Sequence, residues 1–130
     1  MIVLDTHVLV FDALDPKRLS RRARAALDEG FDAGTLACSD ISLWELGMLI
    51  AKGRIDPGPD ARAFIDDLLQ SRAVRVLPIS TAIAVLAQSD AIRHGDPADR
   101  IIAATALAHR APLVTADAQL RRVKSLGAIW

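Results

Sequence analysis

Short apolar runs alternate with longer helical segments along most of the chain. The runs are nearly continuous in apolar residues, which predicts buried parallel strands. The predicted strands are 1–4, 35–39, 74–79, 113–115 and 127–130. The predicted helices are 6–14, 19–27, 42–52, 61–70, 81–92, 97–109 and 118–123, and Gly30 is expected to end the second of them. This alternation predicts an α/β fold, with a parallel sheet of four to five strands covered by helices on both faces.

Two of the predicted helices are more apolar than a surface helix needs to be. The segment 101–108, IIAATALA, is apolar nearly all round, which is typical of a helix packed centrally. The segment 42–52 is apolar on most faces, and Glu45 and Lys52 are its charged exceptions. One sheet cannot bury every face of a helix, so this segment predicts a second interface, with a twin subunit or with another protein.

The composition is that of an ordinary globular protein. The 130 residues are 52% hydrophobic and 25% charged, which predicts one domain over residues 1–130. No apolar run approaches the ~20 residues that span a bilayer, and the start MIVLDTH lacks the basic region of a secretory signal. The lone cysteine, Cys38, has no partner for an internal disulfide, so we expect a cytoplasmic protein that does not contact membranes.

Overall charge does not point to nucleic acid. Lysine plus arginine and aspartate plus glutamate number 16 each, so the formal net charge is zero. The distribution is less even, with one basic run over 17–24 and another over 121–124. The simpler interpretation is two solvated helix faces. The alternative is that their cations hold a phosphate backbone beside an acidic site.

Acidic side chains recur where an apolar run stops and a helix is due to start. Asp5 follows the first strand, Glu45 lies early in the helix after the second, and Asp117 follows the fourth. Asp96 and Asp99 open the helix that precedes the fourth strand. In a parallel sheet, helix starts follow the carboxyl ends of the strands, so these acids should meet at one edge.

Each acid also has an ordinary explanation as a helix cap. Asp5, Asp96 and Asp117 can accept hydrogen bonds from the unpaired N–H groups of a first helical turn. Ser42 and Glu45 fit the S-x-x-E capping box, in which Glu45 would bond back to the backbone of Ser42. Taken singly, each acid is as easily a cap as a ligand.

The joint pattern favours a metal site. Two carboxylates ~4 Å apart repel by about 4 kcal/mol at the effective dielectric of a protein surface, so a cluster needs a counter-charge. Oxygen ligands suit Mg²⁺ or Mn²⁺, and no Cys/His set fits zinc. Divalent ions held by several carboxylates serve phosphoryl chemistry. We therefore expect Asp5 and Asp99 to be the main ligands, with Glu45 and Asp117 completing the site.

Several neighbours of the acids are candidates for supporting roles. Thr6 and Thr115 could hydrogen-bond metal-bound waters or the carboxylates, or cap helices instead. Arg100 is expected to pair with a carboxylate, with a substrate phosphate as the alternative. His7 and His94 are interpreted as local polar residues rather than general bases.

Four motifs span nearly the whole chain. They are LDTH at 4–7, SDISLWEL at 39–46, DPADRIIAATA at 96–106 and LVTAD at 113–117. In this order they resemble PIN-domain ribonucleases, specifically the VapC-type toxins of bacterial and archaeal toxin–antitoxin pairs. The resemblance implies a three-layer α/β/α sandwich around a parallel sheet of four or five strands. It puts the catalytic and metal-binding acids on Asp5, Glu45, Asp99 and Asp117, with Asp96 able to assist.

The same resemblance implies an activity and partners. It implies Mg²⁺- or Mn²⁺-dependent endonuclease cleavage of RNA, a homodimer, and a small cognate antitoxin. Such an antitoxin lays a helix and an extended tail into a hydrophobic groove and inhibits the metal site. The apolar helix at 42–52 agrees with such a groove by a separate route.

Other function classes fit the residues less well or use them differently. A haloacid-dehalogenase-like phosphatase needs a second Asp two positions after the first, where this chain has His7. A receiver-like signalling domain would need a lysine after a late strand, and LVTADAQL has none. The alternative from a different class is a non-catalytic interaction module, whose acids only cap helices and whose apolar helix pairs with a partner. No G-x-G-x-x-G or P-loop fingerprint is present.

Overall fold

The computed structural model describes all 130 residues of the chain. The strands are β1 Ile2–Leu4, β2 Leu36–Ser39, β3 Arg75–Leu77, β4 Leu113–Val114 and β5 Ala128–Ile129. The α-helices are α1 Thr6–Leu14, α2 Arg21–Ala33, α3 Ile41–Ala51, α4 Ala61–Ser71, α5 Thr81–Ala87 and α6 Pro97–Ala108. Short 3₁₀ helices cover Pro16–Arg18 and Leu120–Arg122. The predicted order of elements is confirmed.

All five strands run parallel, in the order β3-β2-β1-β4-β5. β1 lies in the middle, where Val3 pairs with Ala37 of β2 on one side and with Leu113 of β4 on the other. The chain moves outward from β1 to β3 and then returns to the other side of β1 for β4. Such a reversal leaves a crevice beyond the carboxyl ends of the central strands. The predicted α/β fold with a parallel sheet is confirmed.

The sheet carries a hydrophobic core on each face, which gives the three-layer α/β/α sandwich. Successive residues of β1 point to opposite sides, so Leu4 packs with α1 to α4 and Val3 packs with α5 and α6. Within α6, Ile102, Ala103 and Ala104 are fully buried, as expected for a central helix. Its short side chains allow the helix to approach the sheet closely. None of the helices is both long and apolar enough to cross a membrane.

Gly30 does not end α2, contrary to the sequence-based prediction. It lies inside the helix, which ends at Gly34 in the left-handed conformation with φ of 67°. A Cβ at position 30 would lie 3.1 Å from Leu36 Cγ and 3.3 Å from Ile2 Cδ1. The glycine is therefore needed for close packing of α2 on the sheet, a contact that local sequence does not reveal.

The helix predicted to run to Ile92 ends earlier, at Ala87. Both the N–H and the hydroxyl of Ser89 donate to the Leu86 carbonyl, over 3.0 and 2.8 Å. These bonds close the helix with a tighter turn. The residues after this turn, which include His94, form the connection to α6.

Gly30→Ala should destabilise the fold, because the new methyl group overlaps the buried Leu36 side chain. Overpacking costs about 1–3 kcal/mol, which exceeds the ~1 kcal/mol by which alanine favours a helix, so we expect a net loss of roughly 1 kcal/mol. Gly47→Ala is the matched control, because this exposed glycine of α3 has nothing within 4 Å of its missing Cβ. It should gain roughly 1 kcal/mol. Urea unfolding measures both, and equal stabilities would contradict the close contact.

Candidate active site

The acids singled out in the sequence surround the crevice beyond the ends of β1 and β4. Asp5 directly follows β1, and Asp117 lies in the turn after β4. Glu45 is buried early in α3, and Asp99 lies in the first turn of α6. Four elements that are distant in sequence thus contribute one carboxylate each.

Asp99 is the point where two groups of ligand-type side chains meet. Oxygens of Glu45, Asp96 and Asp99 lie within 4.8 Å of one another. A second group with the same spacing consists of His94, Asp99 and Asp117. Because Asp99 belongs to both groups, they form a single cluster. Together with Asp5, these side chains are called the acid cluster, whose members are Asp5, Glu45, His94, Asp96, Asp99 and Asp117.

Asp5 is buried, and only one of its carboxylate oxygens is held. Thr115 Oγ1 donates to Asp5 Oδ2 over 2.6 Å and accepts from the Asp117 N–H over 3.1 Å. Asp5 Oδ1 is buried with no hydrogen-bond partner, and the side chain makes no cap bond to α1. Buried polar atoms normally have a partner. Capping therefore does not explain Asp5, and its second oxygen suits a cation.

Glu45 is not a cap either, which excludes the capping box that the sequence offered as the alternative to a ligand role. α3 begins one residue before Ser42, which puts Ser42 inside the helix rather than at its N-cap. Thr6 Oγ1 instead lies 2.5 Å from Glu45 Oε1 and 2.8 Å from Ser42 Oγ. Thr6 of α1 thus orients Glu45 of α3. Hydrogen bonding to a carboxylate is one of the roles that the sequence left open for this threonine.

Asp96 and Asp117 do cap the turns after them. Asp96 Oδ1 accepts from the N–H groups of Ala98 and Asp99 over 2.8 and 3.3 Å. Asp117 Oδ1 accepts from two backbone N–H groups in the next turn over 2.8 and 2.9 Å. Each cap uses only Oδ1, so a second oxygen of each carboxylate is left for other contacts.

His94, interpreted from the sequence as a local polar residue, contacts two acids of the cluster, which the sequence did not predict. Its Nε2 lies 3.0 Å from Asp117 Oδ2 and 3.3 Å from Asp99 Oδ2, and its side chain is only 7% exposed. Its Nδ1 accepts the Asp96 N–H over 2.9 Å, so the proton of the neutral ring sits on Nε2 and points at the acids. The one available signal was its position two residues before the acid that caps α6. His7, by contrast, is exposed.

Arg100 does not form the expected ion pair. No carboxylate lies within 4.0 Å of its guanidinium nitrogens, and its Nε is buried without a partner. Consecutive positions of a helix face different directions, so helix geometry does not favour a pair between Arg100 and Asp99.

Burial and mutual repulsion perturb the titration of the acid cluster. Burial raises the pKa of Asp5 and of Glu45. Burial, together with repulsion from neighbouring carboxylates, raises the pKa of Asp99 to about 7. Burial also acts to raise the pKa of Asp117, but hydrogen bonds from a backbone N–H and from His94 outweigh it and lower the value. Without a cation, part of the cluster therefore holds protons near neutral pH.

The donor set fits a hard divalent cation. The candidate ligands are carboxylate oxygens, one of which, Asp5 Oδ1, has no other partner. The ring of His94 presents an N–H to the acids, so in this tautomer it is a donor to the carboxylates rather than a ligand. All-oxygen ligation is the preference of Mg²⁺ and Mn²⁺.

Asp99→Asn should flatten the dependence of stability on pH. The pKa of Asp99 is about 7 in the folded protein, against 3.8 for an ordinary aspartate. The folded state therefore holds this proton more tightly than the unfolded state, and stability falls as pH rises between these two values. In EDTA, the variant should be about as stable as the wild type near pH 3.8 and more stable than the wild type above pH 7.

Urea unfolding across this pH range makes the comparison. Asp60→Asn is the control, because Asp60 caps α4 through the Ala63 N–H and lies outside the acid cluster. It should keep the wild-type profile. An unchanged profile for Asp99→Asn would contradict a raised pKa at this position.

Comparison with known proteins identifies the family. The family model for the PIN domain matches residues 2–126. Ribonuclease VapC22 of Mycobacterium tuberculosis is 37% identical over 121 residues, which cover 92% of this chain and 89% of the relative. The structure of VapBC2 from Rickettsia felis bound to a DNA fragment from their promoter is similar with a TM-score of 0.73, at 23% identity, over 98% of this chain and 97% of that one. A toxin–antitoxin complex from Klebsiella pneumoniae is similar with a TM-score of 0.63, at 23% identity, over 100% and 97%. The chain, with its acids gathered at the switch point of a parallel sheet, belongs to the PIN-domain family.

Proposed function

We propose that this chain is an endoribonuclease that hydrolyses RNA phosphodiester bonds and acts as the toxin of a toxin–antitoxin pair. The observation that carries the proposal is the meeting of the buried Asp5 and Glu45 with the half-buried Asp99 and Asp117 in one crevice, where Asp5 Oδ1 has no hydrogen-bond partner. Helix capping does not account for the unpartnered Asp5 Oδ1, and Glu45 is held by Thr6 of another helix instead of capping its own. Membership of the PIN-domain family and the similarity to a ribonuclease support the same activity.

Mg²⁺ or Mn²⁺ is the ion that we propose for this site. Asp5 and Asp99 would hold it, and Glu45 and Asp117 would complete the site directly or through water. When bound, such an ion supplies activation of water and neutralises charge on the phosphoryl oxygens. These four acids are the catalytic residues that we propose.

Neighbouring side chains hold the acids in position. Thr6 and Thr115 each donate to one carboxylate of the cluster, and His94 Nε2 lies within reach of two more. Asp96 accepts the Asp99 N–H and so fixes the first turn of α6, which is the assisting role that we assign to it. Carboxylates fixed in this way need little rearrangement when charge develops on the substrate.

The exposed apolar face of α3 supports a protein partner. Trp44 is 61% exposed and Leu43 is 36% exposed, although most of the helix is apolar. Exposed tryptophans are typical anchors of interfaces. We propose that a small cognate antitoxin covers this face, as the toxin–antitoxin assembly of a structural relative also suggests. A second copy of the chain, forming a homodimer, is the other partner that we propose.

We treat residues 1–130 as one domain, because both cores pack on a single sheet. The compartment that we propose is the cytoplasm, where RNA substrates occur and where a lone cysteine stays reduced. Cys38 agrees with this setting. It is a buried free thiol, and burial raises its pKa to about 12, so it is inert rather than reactive.

Asp5→Asn and Asp99→Asn should each abolish metal-dependent RNA cleavage. Each variant removes one negative charge without changing the size of the side chain, so cation affinity falls while the packing is kept. Loss of a residue that only orients a metal ligand already costs about 10–100-fold, so we expect on the order of 100-fold or more for a ligand itself. Labelled RNA incubated with Mg²⁺, Mn²⁺ or EDTA measures the rate, and EDTA should stop cleavage.

Asp60→Asn is again the matched control, because it changes a capping acid far along the chain from the acid cluster. It should cleave at the wild-type rate. Intact RNA with the wild-type protein under every metal condition would favour the non-catalytic interaction module instead. If both Asp5→Asn and Asp99→Asn still cleave RNA at the wild-type rate, these acids are not required for catalysis.

Trp44→Glu should weaken binding of the antitoxin without unfolding the chain, because the side chain is largely exposed. A tryptophan at the centre of an interface contributes about 2 kcal/mol or more, which corresponds to a roughly 30-fold change in affinity. The control is Val85→Glu, which puts the same charge at an apolar residue of α5 that is 74% exposed. Titration with the small protein encoded beside this chain measures both. If the two variants bind the antitoxin with equal affinity, the partner binds a face other than that of α3.

A further inference from the structure

A groove of about 940 Å³ opens on the surface between α5, α6 and the segment after Asp117. Its less exposed lining side chains are Leu86, Leu107 and Val123, and its exposed cations are Arg93, Arg122 and Lys124. We call it the Arg122 groove. Its volume is in the range of roughly 300–1,000 Å³ that ligand sites occupy.

The Arg122 groove adjoins the acid cluster at two points. Gln119 lines the groove, and its N–H donates to Asp117 Oδ1 over 2.8 Å. Arg93, in the segment between α5 and α6, also lines the groove. It directly precedes His94, whose Nε2 lies 3.0 Å from Asp117 Oδ2. A chain lying in the groove would therefore lead past Asp117 into the crevice.

The cations of the groove are not neutralised by the protein. Asp90 is the one acid among the lining residues, so the cations outnumber the acids three to one. The ion pairs of the structure involve only Arg72 and His94 with other carboxylates. This excess of positive charge stands out in a chain whose formal net charge is zero.

The two basic runs of the sequence thus have different environments. In the run over 17–24, Arg18 stacks on the Phe11 ring at 4.2 Å, and Arg24 donates to the Pro16 carbonyl over 2.7 Å. These cations contribute to the fold. The run over 121–124 instead supplies Arg122 and Lys124 to the groove, and no residue of either run forms an ion pair.

We propose that the Arg122 groove binds the sugar–phosphate backbone of single-stranded RNA next to the bond that is cut. The inference rests on the proposed ribonuclease function and names the surface that would supply its substrate affinity. Arg93, Arg122 and Lys124 contact phosphates, and the apolar side chains between them contact ribose and base. The charge of the groove is complementary to RNA, and its course past Asp117 delivers a phosphate to the acid cluster.

Arg122→Ala/Lys124→Ala tests the groove, and both residues are exposed, so the fold should be kept. The probe is a fluorescent RNA of mixed sequence and about 12 nucleotides, titrated in EDTA at several salt concentrations. Each phosphate contact to a single strand contributes about 0.7 to the slope of log affinity against log salt. The double variant should therefore lower the slope by about 1.4 and the affinity at low salt on the order of 10-fold.

Cleavage supplies a second measurement. The double variant should raise KM and leave kcat unchanged, because it removes contacts made equally in the ground and transition states. Arg21→Ala/Arg22→Ala is the matched control, with two exposed arginines of the other basic run and the same charge change. It should leave slope, affinity and KM as in the wild type. Arg93→Gln, from the other wall, should lower the slope by about 0.7 and remains informative if the double variant is unstable.

The outcomes separate this inference from the proposed function. If the wild type cuts RNA, and the groove variants keep its KM and salt slope, only the groove proposal is overturned. If the wild type cuts no RNA, the ribonuclease function fails, while the binding arm still decides whether RNA occupies the groove. Unchanged RNA affinity with weakened binding of polyglutamate would assign the groove to an acidic protein segment and overturn the RNA proposal.

Discussion

The rest of the site depends on one electrostatic constraint, which is that several carboxylates share a crevice with little positive charge. At the effective dielectric of a protein surface, two such charges ~4 Å apart cost about 4 kcal/mol. Two features of the acid cluster offset this cost. Burial raises the pKa of Asp5, Glu45 and Asp99, which favours protonated forms, and His94 presents an N–H toward Asp99 and Asp117. A divalent cation would replace both compensations at once.

The fold concentrates the acids because of the position of β1 in the sheet. Both of its neighbours are parallel, and the reversal of strand order beside it opens the crevice that Asp5 borders. α6 then brings Asp99 to the same place, since alanines on its buried face let the helix lie close to the sheet. The cost of an unpartnered Asp5 Oδ1 is tolerated because two hydrophobic cores hold β1 in position from both faces.

The parallel direction of the predicted strands made part of the site predictable from the sequence. Asp5 and Asp117 end apolar runs, and the ends of parallel strands meet at one edge, so their juxtaposition was foreseeable. The place of His94 was not, because its contacts depend on how the segment after α5 folds back toward α6. Gly30 was misassigned as a helix stop for a similar reason. Its role is a contact with Leu36 across the interface of helix and sheet, which no local pattern carries.

Zero net charge is weak evidence against binding of a polyanion when the charges are segregated. Here the carboxylates of the crevice and the cations of the Arg122 groove lie side by side, so their effects cancel in the sum but not in space. RNA drawn to the groove would meet carboxylates that repel its phosphates until their charge is neutralised. Cation binding and RNA binding would therefore favour each other, and linkage requires the coupling to be equal in both directions. An acidic crevice beside a basic groove would therefore keep RNA affinity low until a cation occupies the proposed site.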